Sequence, residues 1–201
     1  MVLESILRDN IVNHLTYYGL INSTQSGFMA KRSCATNLLE FVEKITRVFD
    51  EGSPLDVVYL DFDKVPHGPL MFVVFINDID LCSEQLSILA KFADDTKVVN
   101  KVSTPEEQEK LQSCLDNLVE WANKWCRKFN TKKCKVLHAG RSNTLHSYTM
   151  AGIPLADVEK ECDIGVIINN GLKPTSQCVE AERRASEVLM PISKSFLYRD
   201  R

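Results

Sequence analysis

The chain has 201 residues, 44% of them apolar, with a formal net charge of −3; this is enough for one packed domain, or for a fragment of a larger one, and excludes a disordered tail. Its longest unbroken apolar run, Leu70 to Ile76 ("LMFVVFI"), falls far short of the roughly 20 residues that a membrane-spanning helix needs. The amino terminus "MVLESILRDN" has no positive region leading into an apolar core, so a secretory signal is not expected and an intracellular site is, cytoplasm or nucleus left open.

In chain order, Leu3, Ile6, Leu7, Ile11 and Leu15 recur at helical spacing and stop at Gly19, which predicts a first helix. A polar loop, "NSTQSGFMAKRS", leads to a second helical pattern through Leu38, Leu39, Val42, Ile45 and Phe49 that closes at Gly52. "PLDVVYLDF" reads as a buried strand delivering Asp61 at its end. "HGPLMFVVFINDID" reads as a largely buried helix with Pro69 near its first turn, strand being the second choice. Two short apolar runs, Ile88 to Ala90 and Val98 to Val99, flank "KFADDTK" as a hairpin.

The next helix has the clearest signature. Thr104 caps it, Pro105 takes its first position, Glu107 completes a Thr-x-x-Glu capping box, and Leu111, Leu115, Leu118, Ala122, Trp125 and Phe129 follow at steps of four and three. Trp125 falls on that stripe and Trp121 beside it, so core packing is expected of both rather than base stacking. Beyond it "KCKVLHAG" and "SYTMAGIPL" read as strands with a Gly-containing turn, "DIGVII" as another strand, and "TSQCVEAERRASEVLMPISKSF" as a last helix. From Trp121 to Arg141 there are seven basic residues (Lys124, Arg127, Lys128, Lys132, Lys133, Lys135, Arg141) and no acid, a local patch of the kind that phosphates feel. Seven cysteines make an odd count without a Cys-x-x-Cys pair, so reduced, mostly structural thiols are expected.

Asp94-Asp95 at a hairpin tip is not the usual Asn-Gly or Asp-Gly turn signal. Two charges about 4 Å apart repel by about 1 kcal/mol in water and about 4 kcal/mol at an effective dielectric of 20. A divalent cation offsets that repulsion, and carboxylate oxygens are what Mg²⁺ takes. Asp61 supplies a third carboxylate, and two-metal phosphoryl transfer is the chemistry such a set serves. The plainer reading, an exposed Asp-Asp in a loop, is the more common one for such a pair taken alone.

In this company the chain resembles the reverse transcriptase of jockey-like non-LTR retrotransposons over nearly all of its length. "FADD" is similar to that family's Phe/Tyr-Ala-Asp-Asp box, "DVVYLDF" to its first catalytic strand and "GPLMFVVFINDI" to the helix after its nucleotide-pocket loop. "WANKWCRKFNTKKCKVLHAG" and "CDIGVIINNGLKPTSQCVEA" resemble its palm-to-thumb region, and "LINSTQSGFMAKRSCATNLLEFVEKI" its fingers. The resemblance implies an α+β fold, the partial fingers and palm of a right-hand polymerase, with helices packed on an antiparallel palm sheet. Residues 1–52 are then fingers-like, 53–140 palm-like and 141–201 the palm-to-thumb region.

The function it implies is RNA-directed DNA polymerase activity on an RNA template, a DNA primer and deoxynucleoside triphosphates. Two Mg²⁺ ions would be bound by Asp61, Asp94 and Asp95, with Phe92 beside the primer end. Phe62 lies in an aromatic stretch that includes the family's ribose-discriminating side chain. Lys133, in the Asn-x-x-Lys run from Asn130, matches a lysine placed to protonate the departing pyrophosphate, a solvated lysine being an equal alternative. Arg32 matches a fingers arginine that meets triphosphate or template, an exposed loop arginine being the alternative.

The pattern also breaks. In the family the first catalytic strand continues through Ser-Lys-Ala-Phe, and several dozen residues precede a Gly-x-Pro-Gln-Gly loop that lines the pocket for base and sugar. Here Phe62 is followed directly by Asp63-Lys64-Val65-Pro66, and His67 runs straight into Gly68. Met29 stands where the family usually has arginine. The resemblance therefore leaves two expectations, a polymerase domain or a catalytically dead remnant of one with at most non-specific nucleic-acid binding. A nucleic-acid-binding domain unrelated to polymerases rests on the basic patch alone.

Overall fold

Secondary structure follows the local signals wherever capping chemistry marks an end. The computed structural model describes residues 2–20, 33–63, 74–82, 88–92 and 95–195. Helix α1 (Val2–Tyr17) stops where Gly19 adopts φ +61°, and the amides of Gly19 and Leu20 turn back onto the carbonyls of Thr16 (3.1 Å) and Leu15 (2.8 Å), a Schellman closure. Helix α2 (Cys34–Asp50) begins with a reciprocal cap: Ser33 Oγ accepts from the Thr36 amide at 3.1 Å and Thr36 Oγ1 accepts from the Ser33 amide at 2.9 Å. Its buried face is Asn37, Phe41 and Ile45, whereas Leu39, expected on the apolar stripe, is 69% exposed. Four-residue steps from Asn37 place Phe41 and Ile45 against the sheet, and two further residues of rotation carry Leu39 to the far side.

Strands β1 (Leu55–Leu60), β2 (Ile88–Phe92), β3 (Asp95–Lys101), β4 (Lys135–Ala139) and β7 (Ala156–Val158) form one sheet in the order β2-β3-β1-β4-β7. All neighbours are antiparallel except β4 and β7, whose three-residue pairing is parallel and was not legible as a strand. The molecule is thus α+β with an antiparallel-dominated sheet.

Each face of the sheet carries a layer. Val58, Leu60, Val98 and Val136 pack against Leu111, Leu115 and Leu118 of α3 (Pro105–Lys124) and against a 3₁₀ helix, Ile76–Cys82. Val57, Val99 and Leu137 on the opposite face meet Phe41 and Ile45 of α2 and Ile168 from a carboxy-terminal hairpin. Helical backbone from Val74 to Cys82 agrees with the helix reading of that segment; residues 64–73, with Pro69 and the junction at Gly68, lie outside the described residues.

The capping box of α3 forms as read, with Glu107 N donating to Thr104 Oγ1 at 3.3 Å and Thr104 N donating to Glu107 Oε2 at 3.2 Å. Its stripe ends one turn early. Trp125 caps the helix, Cys126 follows at φ +54°, and Trp125 is 46% exposed, so core packing of this side chain is corrected. Trp121 is buried and donates from Nε1 to Asp78 Oδ1 at 2.9 Å.

Further on, β5 (Thr149–Met150) and β6 (Ile153–Pro154) turn at Ala151-Gly152, both at positive φ, the signature of a type I′ hairpin. "DIGVII" is two strands, not one: β8 (Lys160–Asp163) and β9 (Val166–Asn169) reverse at Ile164 (φ +47°) and Gly165 (φ +84°). Helix α4 (Thr175–Ser195) closes the described chain. No described helix is long and apolar enough to cross a membrane. Among the described cysteines, which form no disulfide, Cys114 and Cys134 are buried and Cys34, Cys126, Cys162 and Cys178 exposed, so a structural packing role holds only for the first two.

Candidate active site

One end of the sheet gathers the carboxylates. Strand β1 pairs with β3 through Leu60↔Thr96, and the register carried one residue further sets Asp61 opposite Asp95. In the hairpin, Phe92 pairs with Asp95, so only residues 93 and 94 separate the strands. Asp94 itself lies outside the described residues, as do Arg32 and the side chain of Phe92. Asp61 and Asp95 line one cavity of about 80 Å³ together with Lys133. The expectation that Asp61 and the hairpin end adjacent antiparallel strands thus matches the position of Asp95.

Lys133 reaches the site through a turn. Its amide and that of Cys134 both bond to the Asn130 carbonyl, at 2.8 and 3.0 Å, while the Asn130 amide bonds to the Asp61 carbonyl at 2.8 Å. This turn places Lys133 Nζ 3.3 Å from Asp61 Oδ2 on a rim where the lysine is 64% and the aspartate 38% exposed. Beneath it the Cys134 thiol is pushed up to about 11, mainly by burial. The basic segment is stitched to the same strand end: Asp63 N bonds to Lys128 O at 2.9 Å, and Phe62 bridges Phe129 in antiparallel fashion.

Phe62 points away from the site. Side chains alternate along a strand, so with Asp61 on the cavity face Phe62 enters the α3 layer, stacked on Phe129 at 4.6 Å and edge-on to Phe75 at 5.9 Å. It is buried in an aromatic core.

Among the lining residues that escaped the sequence reading are Tyr59, Lys97, Glu161 and Asp163. Tyr59 and Lys97 stand two residues from Asp61 and Asp95 and pair with each other across the strands, so the two-residue period alone puts them on the same face. Asp163 and Glu161 arrive from β8, which nothing in the local sequence ties to this end. Lys97 Nζ is bound to both oxygens of Asp163 with both side chains almost fully buried, and the ammonium also sits 4.4 Å over the Phe41 ring. Burial dominates both titrations, pushing Lys97 down and Asp163 up despite their mutual attraction. Lys135 Nζ meets Glu161 Oε2 at 2.7 Å. The Tyr59 hydroxyl has no hydrogen-bond partner among the described residues, and burial, then Asp163 and Glu161, raise its pKa well above the ordinary phenol value.

The donor chemistry of Asp61 and Asp95 fits a hard divalent cation that keeps water and phosphate in its remaining positions. Among the described residues no three His, Cys, Asp or Glu side chains are grouped to hold an ion unaided. Fold and site together define an α+β protein with paired carboxylates and a lysine at one sheet end. No protein-family model and no curated protein matches the chain.

Proposed function

We propose that the chain is a remnant of an RNA-directed DNA polymerase domain from a mobile element, one that retains the carboxylate end of the palm but lacks the pocket needed for turnover. The observation that carries this reading is the register that sets Asp61 opposite Asp95, with Lys133 on Asp61 and the basic segment bonded alongside.

In an intact domain of this kind, Mg²⁺ bound by Asp61, Asp95 and Asp94 would stabilise the attacking and departing oxygens of an in-line phosphoryl transfer. Lys133 would donate a proton from Nζ toward a departing pyrophosphate, its place at the cavity rim suiting that reach. Lys124, Arg127, Lys128 and Lys132 would meet template and primer phosphates. Turnover further requires the substrate held in line, and displacement of about 1 Å costs on the order of 10²-fold in rate. The Pro-Gln-Gly loop that does this in the resembled family has no counterpart between His67 and Gly68.

Purified protein given Mg²⁺, an RNA template, a DNA primer and four deoxynucleotides is expected to show no primer extension. Grafting the family's missing palm segment between His67 and Gly68, and Ser-Lys-Ala-Phe after Phe62, is expected to be necessary for any activity. Extension by the unmodified chain that vanishes in Asp95→Asn would keep the site and refute the inactivity.

A further inference from the structure

At the opposite end of the sheet from the carboxylate cavity, on the α3 face, a second polar cluster is fully built. Asp56 of β1 is completely buried and accepts three hydrogen bonds: from Tyr148 Oη to Oδ2 at 2.7 Å, and to Oδ1 from Asn143 Nδ2 and His138 Nδ1, each at 2.7 Å. His138 of β4 is the cross-strand partner of Asp56, and its other ring nitrogen, Nε2, lies 3.1 Å from Asp157 Oδ1. Asp157 belongs to β7, the edge strand, held to β4 by a register of three pairs, Lys135↔Ala156 to Leu137↔Val158.

An ionised carboxylate only accepts hydrogen bonds, so an imidazole with carboxylates at both nitrogens satisfies both only when both carry a proton. Among the described residues no Lys or Arg is bonded to Asp56 or Asp157. Facing the cluster are Asn143 and Tyr148 from the β4–β5 loop, with His146 edge-on to the Tyr148 ring at 4.9 Å. Asn100 of β3, opposite Asp56, is neutral and bonds to the Glu107 carbonyl, and α3 presents Gln108, bonded to Thr144 of the same loop.

We infer that His138 is a charged clasp: its imidazolium, held between Asp56 and Asp157, pins the edge strand β7 to the sheet, and loss of the Nε2 proton releases that strand while the Asp56 end stays bonded. The two ends differ because Nδ1 faces a carboxylate buried with two other donors, whereas Asp157 is 54% exposed and is otherwise free to turn to water. Deprotonation at Nε2 turns the outer contact from a charge-assisted bond into two facing lone pairs.

The sign is consistent with the cluster. Burial lowers the His138 pKa, but the bonds and charges of Asp56 and then Asp157 outweigh it, and the net direction is upward from the ordinary value of about 6.5. A group raised on folding stabilises the fold fully below its unfolded value and loses that contribution as pH rises through its folded value. The clasp is therefore shut below the unfolded value and opens as pH rises through the raised folded value. Strand β7 leads within two residues into β8, which carries Glu161 and Asp163 to the carboxylate cavity, so release at one end of the sheet loosens the lead-in to the other.

The test uses isotope-labelled full-length protein and long-range proton–nitrogen spectra of the His138 ring across the pH range of imidazole titration. Both ring nitrogens are expected to carry protons below about pH 6.5, with a midpoint above that of a free histidine. Asp157→Asn, a surface change that leaves Asp56 in place, is expected to weaken proton affinity at His138 on the order of tenfold. Amide exchange protection at residues 156–158 should fall as the wild type passes its midpoint and should already be low in Asp157→Asn. A His138 midpoint no higher than that of a free histidine, an unchanged midpoint in the variant, or protection at 156–158 that ignores the midpoint would each overturn the clasp.

Discussion

A lysine and an aspartate decide how the cavity end of the sheet is closed. Lys97 and Asp163 are both buried, and burial works against the charge of each. A pair of this kind contributes little net stability over apolar residues of the same size, but removing one member strands the other charge. Lys97→Met is therefore expected to lower unfolding free energy by about 3–5 kcal/mol in chemical denaturation, by leaving Asp163 buried and uncompensated. Lys97→Met combined with Asp163→Leu is expected to recover most of that loss. If the double variant is as unstable as the single, the cost lies in packing against Phe41 rather than in the stranded carboxylate.

At the scale of elements, the close approach of β4 to the entry of β1 depends on a residue without a side chain. Gly140 follows β4 at φ +107°, and a Cβ there would stand 2.8 Å from the Pro54 backbone Cα. Neither a shift of Pro54 nor a flip of Gly140 is available without parting β1 from β4, because Asn143 bonds to the Leu55 and Ala139 carbonyls in the same corner. Gly140→Ala is expected to cost of order 1–3 kcal/mol from backbone strain, with a further loss from the clash, read as a lower denaturation midpoint at unchanged slope. Gly52 and Gly152 also have positive φ, yet nothing stands within 4 Å of a Cβ at either, so alanine there is strained by conformation alone.

Across the whole molecule, charge is separated from net charge. The chain totals −3, yet the acid-free segment from Trp121 to Arg141, with seven basic residues, is bonded to the strand end that carries Asp61. Neutralising phosphates releases counterions, and about four contacts give a log–log salt slope of roughly −3 to −4 on duplex nucleic acid. Primer-template binding by the intact chain is expected to be weak and to fall with salt on that slope. Fluorescence anisotropy would register it, and changing Lys124, Arg127, Lys128 and Lys132 to glutamate should remove it. Binding that survives those four changes, or that shows no salt dependence, would place the nucleic-acid surface elsewhere or nowhere.

Local sequence determined the parts of this protein that local physics decides. Helix ends at Gly19, Gly52 and Thr104 were legible because a cap satisfies backbone groups within a few residues of itself. Asp61 was legible as the end of a buried strand, and the hairpin around Asp95 from its flanking apolar runs. Tyr59 and Lys97 could have been found by counting two residues from each aspartate. The face that α2 buries, the exposure of Trp125, the parallel strand β7 and the turn inside "DIGVII" came only with the tertiary structure. So did the arrival of Asp163 on Lys97 and of Asp157 on His138. Each joins segments that are remote along the chain, so its free energy depends on burial and pairing that exist only once the sheet has formed; no periodicity within either segment records it.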